Sequence, residues 1–513
     1  MHLLRGFLIL PLLSAVVAAE QIPAGQIVVN TSSPSGPISP LIYGVGIEWI
    51  ERGNGLLNAS GSLRADVVAL LKPLSIPVIR FPGGIFADYY KWPDGVGPVS
   101  SRPLRLNPIS NEWERNDFGT DELIDLCRTL GSEALITANF GTGDLSLALG
   151  WQRYFQTRGF PAKYWEIGNE IYLTESRIPS SIPGNDARIF KTTTQYAGAL
   201  RNWTQALRAQ DPTVLVGAIG GLYNVSAEHR DWLNVLLSTA PNAFDFLAVH
   251  NSFAPVINDG YDLTNPSVRT QVYRAMFSQA AYTADDLGMI RRALASAGST
   301  QRIAITEHFP LFGGSPDASR MLALIDQSRT MGSALFTASL FHSYIRQNVW
   351  MANYNLVLSQ WFGAFITDTP SGLVKTPTYH VYDLFRNHFG TTQVAVAASG
   401  PTFNSAQIGG VAARTGVPCL DVVAATDAAG KVYLSVINRS TSAIAIKLTI
   451  PRVTTGSVAE VRTLTGMALE AINGPNLSAT TMRAAIAPVK TAWTMPASGI
   501  YLFPGSSLTI MKW

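Results

Sequence analysis

The first three quarters of the chain alternate short runs of strand-forming residues with longer stretches whose apolar residues recur at helical spacing. Helix-like stretches include 121–130, 193–209, 286–297 and 333–346. Eight strand-like runs lie between about residues 38 and 389, at 41–47, 76–81, 134–140, 163–167, 214–219, 244–249, 302–305 and 349–354. This alternation predicts a parallel sheet covered by helices, and eight such units predict an α/β fold of the closed (β/α)8 TIM barrel type.

The pattern changes after about residue 390, where helical spacing gives way to short alternating runs between Gly, Pro, Ser and Asn turns. We interpret residues 390–513 as an antiparallel β-sandwich. The strand-like segment 26–30 lies within residues 20–37, which we expect to add an N-terminal strand to the sandwich. The catalytic barrel is then predicted to span residues 38–389, and an open doubly wound sheet is disfavoured because no Gly-rich phosphate turn follows the first strand.

The N-terminus combines a basic start, a short apolar run and a small-residue exit, which predicts a signal peptide over residues 1–19 and secretion to the extracellular space or periplasm. The apolar run is shorter than the roughly 20 residues that span a bilayer, so no membrane association is expected after the signal is removed. Only Cys127 and Cys419 occur in the 513 residues, which favours two buried free thiols over a disulfide framework.

Charge excludes one class of partner. Charged residues make up 14% of the chain, the formal net charge is +3 and no basic run is present, so no nucleic-acid partner is expected. Metal-ligand spacings such as HExxH or a Cys/His cluster are also absent from the sequence, and neither a metal nor a cofactor is predicted. The sequence does not indicate an oligomeric state.

Two glutamates follow strand-forming runs and carry the chemical prediction. Glu170 ends the fourth predicted strand and Glu307 the seventh. The carboxyl ends of barrel strands form the active-site face, and a retaining glycosidase needs two carboxyl groups about 5–5.5 Å apart there. Either glutamate alone is compatible with a helix cap or a partner for an arginine. The pair predicts Glu170 and Glu307 as catalytic residues that act on an oligo- or polysaccharide.

Residues near these strand ends are candidates for substrate binding. Asn169 offers an amide to a sugar hydroxyl, although a turn role alone is compatible with it. Glu48 and Trp49 follow the first strand, where they are expected either to bind and stack on a sugar or to belong to a solvated loop. Arg80 ends the second strand and is expected beneath the glutamates. His250 ends the sixth strand, where a structural histidine is the alternative.

Several motifs together resemble family 51 of the glycoside hydrolases, the α-L-arabinofuranosidases, in the clan of retaining (β/α)8 glycosidases with catalytic glutamates on strands four and seven. They are spread over most of the barrel: Ile42-Tyr43-Gly44 with Glu48, Arg80-Phe81-Pro82-Gly83-Gly84, Tyr90-Lys91-Trp92-Pro93-Asp94-Gly95-Val96-Gly97-Pro98 with Arg102-Pro103, Asn116-Asp117-Phe118-Gly119-Thr120-Asp121, Asn139-Phe140-Gly141-Thr142-Gly143, Trp165-Glu166-Ile167-Gly168-Asn169-Glu170 and Thr376-Pro377-Thr378-Tyr379. The resemblance implies that Glu170 is the acid/base, that Glu307 is the nucleophile, and that Glu48 and Asn169 bind the sugar.

Departures from the family pattern lie where the sugar is selected. Ile85 stands where the family often has asparagine, Asn251-Ser252 follow the strand-six histidine, His308 and Phe309 follow Glu307, and Asn355 stands near the position of a usual glutamine. The leading expectation is an α-L-arabinofuranosidase. A β-xylosidase, β-glucosidase or β-glucuronidase with the same mechanism is the first alternative, and a non-catalytic carbohydrate-binding protein is the second.

Overall fold

A computed structural model describes residues 22–107, 112–172, 192–220, 227–257, 260–310, 312–359 and 362–513. The predicted signal peptide lies outside these residues. No helix within the described ranges is long and apolar enough to cross a membrane.

Eight parallel strands form a closed barrel, as the alternation predicts. In barrel order they are Gly44–Gly46, Val78–Phe81, Glu133–Ala138, Tyr164–Ile167, Leu215–Ile219, Phe246–Ala248, Arg302–Phe309 and Met351–Asn355. The barrel is closed because the eighth strand pairs with the first. The sixth strand pairs with the seventh, so the ring of neighbouring strands is complete. A short segment, Ser252–Phe253, pairs with the end of the seventh strand.

Helices surround the barrel on its outer side. The α-helices span Ala65–Leu71, Thr120–Leu130, Leu145–Thr157, Thr193–Gln210, Ala227–Thr239, Pro266–Ser296, Ala318–Gln327, Met331–Arg346 and Pro377–His388, and short 3-10 turns span Pro40–Tyr43, Lys72–Leu74, Ile85–Asp88, Trp92–Gly95 and Val99–Ser101. The segment Ile50–Gly55 is a left-handed turn, with positive φ at residues 51–54. The helix Pro266–Ser296 is much longer than the predicted 286–297. It begins where the Asn265 side chain accepts from the backbone N–H of Ser267, with proline at the first helical position.

The C-terminal part is a sheet of nine strands, and the N-terminal strand Gln26–Pro37 belongs to it. The strand order is Val489–Thr494, Val458–Thr465, Ser507–Lys512, Val432–Asn438, Leu420–Thr426, Thr392–Ala398, Gln26–Pro37, Ile444–Thr449 and Ile500–Phe503. All pairings are antiparallel except that of Gln26–Pro37 with Ile444–Thr449, which is parallel. Val461 and Ile446 come from opposite ends of this order yet share one apolar core, so the sheet folds over itself.

Smaller two-stranded ribbons complete the described structure, at Leu104–Leu106 with Trp113–Arg115, Ile366–Thr369 with Gly372–Lys375, Thr402–Ser405 with Arg414–Pro418, and Ala471–Asn473 with Met482–Ala484. Both cysteines are free and buried, as predicted.

Candidate active site

The barrel interior is built in layers because alternate residues of a strand point to the same face. Residues from the first half of six strands form an apolar floor of Val78, Leu135, Tyr164, Phe246, Ala304 and Met351. Two positions further along four of the same strands, the interior becomes polar at Arg80, Thr137, Glu166 and Thr306, which hydrogen-bond to one another. The candidate site lies above this polar layer, at the carboxyl ends of the strands, where barrel enzymes place their chemistry.

A β-bulge turns Glu307 into the barrel. Along the pair of strands seven and eight, Ile305 is opposite Ala352 but His308 is opposite Tyr354, so strand seven holds one extra residue between these points. In a regular strand, Thr306 and Glu307 would point to opposite faces. With the bulge both reach the interior, Thr306 toward Glu166 and Glu307 toward Arg80. His308 points outward instead, into the aromatic packing between barrel and helices.

Arg80 joins three acceptors from its place on the second strand. Its Nε donates to Glu166 Oε2 at 2.8 Å, its Nη1 to Glu307 Oε2 at 3.1 Å and its Nη2 to Asn169 Oδ1 at 2.7 Å. The guanidinium fork suits this task because its donors are fixed in one plane. Arg80 thus links Glu166, Glu307 and Asn169 in the barrel interior.

The surroundings of Glu307 shift its pKa in opposite directions. Burial raises the pKa of the Glu307 carboxyl above its ordinary value, while the charges of His250 and Arg80 act in the other direction and the charge of Glu170 raises it further. Asn355 Nδ2 donates to the second oxygen of Glu307 at 3.4 Å.

Glu170 has a different partner. Its Oε1 lies 3.0 Å from His250 Nδ1, and His250 Nε2 lies 2.8 Å from Thr306 Oγ1. The Glu170 side chain is 25% exposed, against 10% for Glu307. The two glutamates therefore lie in different environments. Glu307 is paired with Arg80 in the barrel interior, and Glu170 is paired with His250 nearer solvent.

Glu48 and Asn169 also lie at the strand ends. Glu48 Oε2 accepts from Asn54 Nδ2 at 3.0 Å, and burial raises the pKa of Glu48 from 4.5 to about 8, with the nearby Glu307 charge adding to the shift. The side-chain oxygen of Asn169 is occupied by Arg80, which leaves its NH2 group as a donor. The backbone N–H of Asn169 donates to Asp88 Oδ2 at 3.1 Å, and burial raises the pKa of Asp88 to about 7.

Trp49 is only 4% exposed. Its ring packs near that of Tyr90, with 6.3 Å between centroids, and it lines a cavity of about 280 Å³ together with Tyr89, Lys91, Asp94, Arg105, Leu106, Asn116 and Thr142. The indole N–H has no hydrogen-bond partner among the described residues. Trp49 thus forms part of the wall of this side cavity, and stacking of its face on a sugar stays a prediction.

The residues that depart from the family motif lie in different parts of the structure. Ile85 begins a short helical turn and is partly buried against the barrel core. Asn251 does not face the site, because its Nδ2 donates to Asp286 Oδ2 at 2.5 Å. Asn355 does face it, and its Oδ1 is buried with no partner among the described residues. An amide is therefore present at the site. It comes from Asn355 on the eighth strand, whereas the family's asparagine stands at position 85, after the second strand.

Sequence reasoning missed the residues that support the site. Glu166 was noted only as part of the motif around Glu170, and Thr137 and Thr306 were not singled out. The available signal is a polar residue inside, or directly after, an otherwise apolar strand-like run, since a polar side chain facing a barrel interior needs a partner. Among the described residues, no group of three or more His, Cys, Asp and Glu side chains has an arrangement suited to a metal ion.

Comparisons with known proteins show which proteins the chain resembles. The family model for an α-L-arabinofuranosidase C-terminal domain matches residues 315–495, and that for an α-L-arabinofuranosidase 1 domain matches residues 70–151. A probable α-L-arabinofuranosidase C of Aspergillus clavatus is 27% identical over 518 residues, covering 95% of this chain and 97% of the relative. An intracellular exo-α-L-arabinofuranosidase of Bacteroides ovatus is 25% identical over 68% of each chain.

Solved structures extend the likeness to the whole fold. The α-L-arabinofuranosidase of Thermotoga maritima, in complex with arabinose, superposes with a TM-score of 0.75 at 25% identity and covers 95% of this chain and 99% of its own. A family 51 α-L-arabinofuranosidase of Thermotoga petrophila superposes with a TM-score of 0.73 at 25% identity, covering 95% of this chain and all of its own. Both the barrel and the C-terminal sheet are thus shared. The chain belongs to glycoside hydrolase family 51, the α-L-arabinofuranosidase-like enzymes.

Proposed function

We propose that this protein is a secreted, retaining α-L-arabinofuranosidase that acts on arabinose-bearing plant or microbial polysaccharide by double displacement. One observation carries the proposal. Arg80 binds Glu307 in the polar layer of the barrel interior, while His250 binds Glu170 nearer solvent. Double displacement needs such a division, because one carboxyl group must attack as an anion and the other must give and take a proton.

Glu307 is the nucleophile in this proposal. It is the more buried of the two glutamates, and although burial raises its pKa overall, the charges of His250 and Arg80 oppose that effect and favour the ionised form. The bulge in strand seven aims the carboxylate toward the centre of the barrel mouth, where the anomeric carbon of a bound sugar would lie. Attack there would form a covalent glycosyl-enzyme on one oxygen of Glu307.

Glu170 is the acid/base. Its greater exposure suits a group that must reach the leaving-group oxygen and exchange its proton with water after the first step. The hydrogen bond to His250 holds one oxygen of the carboxyl group in place.

Sugar hydroxyls would be bound by the remaining polar groups at the strand ends. Asn169 offers an NH2 group, Glu48 offers a carboxyl group already oriented by Asn54, and Asn355 places an amide beside Glu307. A buried sugar hydroxyl left without a partner would cost about 1–3 kcal/mol. Asn355 supplies an amide in place of the one that Ile85 lacks, which supports retention of the furanoside as substrate.

The β-glycosidase alternative keeps the same chemistry. It is favoured by Ile85 and by the engagement of Asn251 with Asp286, which together leave two of the departing positions without a group for the sugar. A panel of aryl glycosides separates the two functions by kcat/KM on α-L-arabinofuranoside, β-D-xyloside, β-D-glucoside and β-D-glucuronide. We expect the arabinofuranoside to be preferred. A preference for a pyranoside by more than about tenfold, or roughly 1.4 kcal/mol in the barrier, would assign the protein to the β-glycosidases instead.

Glu307→Ala serves as the matched control for that panel. The variant should abolish turnover of the preferred glycoside, and added azide should give a glycosyl azide of configuration inverted relative to the substrate. Wild-type protein that turns over none of the four glycosides would favour the non-catalytic carbohydrate-binding protein. Secretion is tested separately, by N-terminal sequencing of protein recovered outside the cell, which should begin at Glu20.

A further inference from the structure

A continuous chain of hydrogen bonds joins Glu170 to the arginine beneath Glu307. It runs from Glu170 to His250, from His250 to Thr306, from Thr306 to Glu166 and from Glu166 to Arg80. We propose that Thr306 and Glu166 are positioning residues that fix the tautomer of His250 and thereby hold the acid proton between His250 and Glu170. The inference rests on the proposed role of Glu170 as the acid/base.

The direction of each hydrogen bond follows from Glu166. Its side chain is 1% exposed, and both oxygens face donors: Oε2 accepts from Arg80 Nε at 2.8 Å and from Thr137 Oγ1 at 3.1 Å, and Oε1 accepts from Thr306 Oγ1 at 2.7 Å. The proton of the Thr306 hydroxyl is therefore directed at Glu166. A hydroxyl has a single proton, so Thr306 acts only as an acceptor toward His250.

The tautomer of His250 follows in turn. Since Thr306 accepts, the Nε2 atom of His250 must carry a hydrogen. In a neutral imidazole the other nitrogen, Nδ1, is then a bare acceptor, and it lies 3.0 Å from Glu170 Oε1. A hydrogen bond between these two atoms needs one proton, carried either by Glu170 with His250 neutral or by His250 with Glu170 ionised.

Loss of that proton is disfavoured by the geometry. It would leave the Nδ1 lone pair facing a carboxylate oxygen at hydrogen-bond distance, and the ring could relieve this only by moving its hydrogen from Nε2 to Nδ1. That move would deprive Thr306 of its donor. Thr306 and Glu166 thus oppose the tautomer that would stabilise an ionised Glu170 beside a neutral histidine, and the pair keeps its proton to higher pH.

Taken together, the charges around His250 also favour retention of this proton. It faces Glu170 after strand four, Glu166 on strand four with 3.9 Å between Nε2 and Oε1, Glu307 on strand seven and Arg80 on strand two. Burial and Arg80 lower the pKa of His250, but the hydrogen bond and charge of Glu170, with the charge of Glu307, raise it above its ordinary value overall.

Three threonine variants test the inference. Thr306→Val keeps the side-chain shape but removes the hydroxyl, so His250 becomes free to change tautomer. Thr306→Ser keeps the hydroxyl and is the conservative rescue. Thr137→Val removes a hydrogen bond to the other oxygen of the same buried glutamate and leaves the link from Thr306 to His250 in place, so it serves as the matched control for structural loss.

The readout is the alkaline limb of the pH profile of kcat/KM, on whichever aryl glycoside the wild type turns over. In Thr306→Val we expect this limb to move to lower pH by on the order of one unit, the equivalent of one hydrogen bond. Thr306→Ser and Thr137→Val should keep the wild-type limb, whatever their rates. An unmoved limb in Thr306→Val, or an equal shift in Thr137→Val, would overturn the proposal.

A second readout does not depend on turnover. With ¹⁵N-labelled histidine, the ring-nitrogen shifts of His250, identified by their loss in His250→Asn, should show hydrogen on Nε2 in the wild type and in Thr306→Ser. Thr306→Val should populate the Nδ1–H form as pH rises. Hydrogen on Nδ1 in the wild type would refute the tautomer assignment even if the protein is active, whereas inactivity on every glycoside with the expected tautomer would refute only the proposed function.

Discussion

Replacement of Arg80 by methionine tests both the folding and the catalytic part of this account. Arg80 and Glu166 are each 1% exposed, and Arg80 donates to three acceptors. The change would leave two buried carboxyl groups without their cation. Hydrogen bonds to charged groups contribute about 1.5–3 kcal/mol each, but their sum overstates the loss because the site relaxes. Removal of one partner from a buried ion pair typically costs about 3–5 kcal/mol.

The assay is urea unfolding followed by tryptophan fluorescence, with a double variant for comparison. Arg80→Met should lower the free energy of unfolding by about 3–5 kcal/mol. Arg80→Met combined with Glu166→Gln removes both charges of the pair and should be more stable than Arg80→Met alone by at least about 1 kcal/mol, which is the sign of coupling expected for residues in contact. Both variants should be nearly inactive, since Glu307 loses its cation in each. A double variant no more stable than Arg80→Met, or a loss below about 1 kcal/mol in Arg80→Met, would refute the reasoning because a buried pair is coupled.

Three other results are expected. Glu170→Ala should slow glycosides with poor leaving groups far more than activated aryl glycosides, and azide should give product of retained configuration; equal loss on both substrate types would remove Glu170 from the acid/base role. Glu48→Gln should flatten the pH dependence of stability between pH 4.5 and about 8, because burial raises the pKa of Glu48 across that window. The unfolded chain loses this proton first, so the wild type loses stability as pH rises there, and an unchanged profile in urea unfolding would contradict this. Asn355→Ala should lower kcat/KM on the arabinofuranoside by roughly ten- to a hundredfold, the effect of one unpaired buried hydroxyl, and an unaffected kcat/KM would exclude a contact with the sugar.

The sequence predicts the barrel well because each strand is a short apolar run bounded by polar residues and turns. All eight predicted strands begin within three residues of the observed ones, and Arg302 begins the seventh in both. The exception in the helices is Pro266–Ser296, whose first half carries many small and polar residues and so gives a weak helical period. Burial against neighbouring elements stabilises that half, and tertiary packing of this kind leaves little trace in a local pattern.

The candidate site was only partly predictable. Strand ends locate Glu170 and Glu307, but the run from Ile303 to Phe309 looks like a regular strand and gives no sign of the bulge that turns Glu307 inward. The partnership of Glu166 with Arg80 is equally hidden, since 86 positions separate the two residues. Such contacts depend on how eight strands are staggered around the barrel, which no single segment specifies.

The most direct test of the central claim is capture of the covalent intermediate. Glu170→Ala protein mixed briefly with an activated aryl α-L-arabinofuranoside should accumulate glycosyl-enzyme, because the first step needs little acid assistance while the second lacks its base. After acid quench and proteolysis, mass spectrometry should find one anhydropentosyl group on the peptide that contains Glu307, and none in Glu307→Ala protein. An adduct on any other residue, or single-turnover release of aryl alcohol with no adduct at all, would contradict the account.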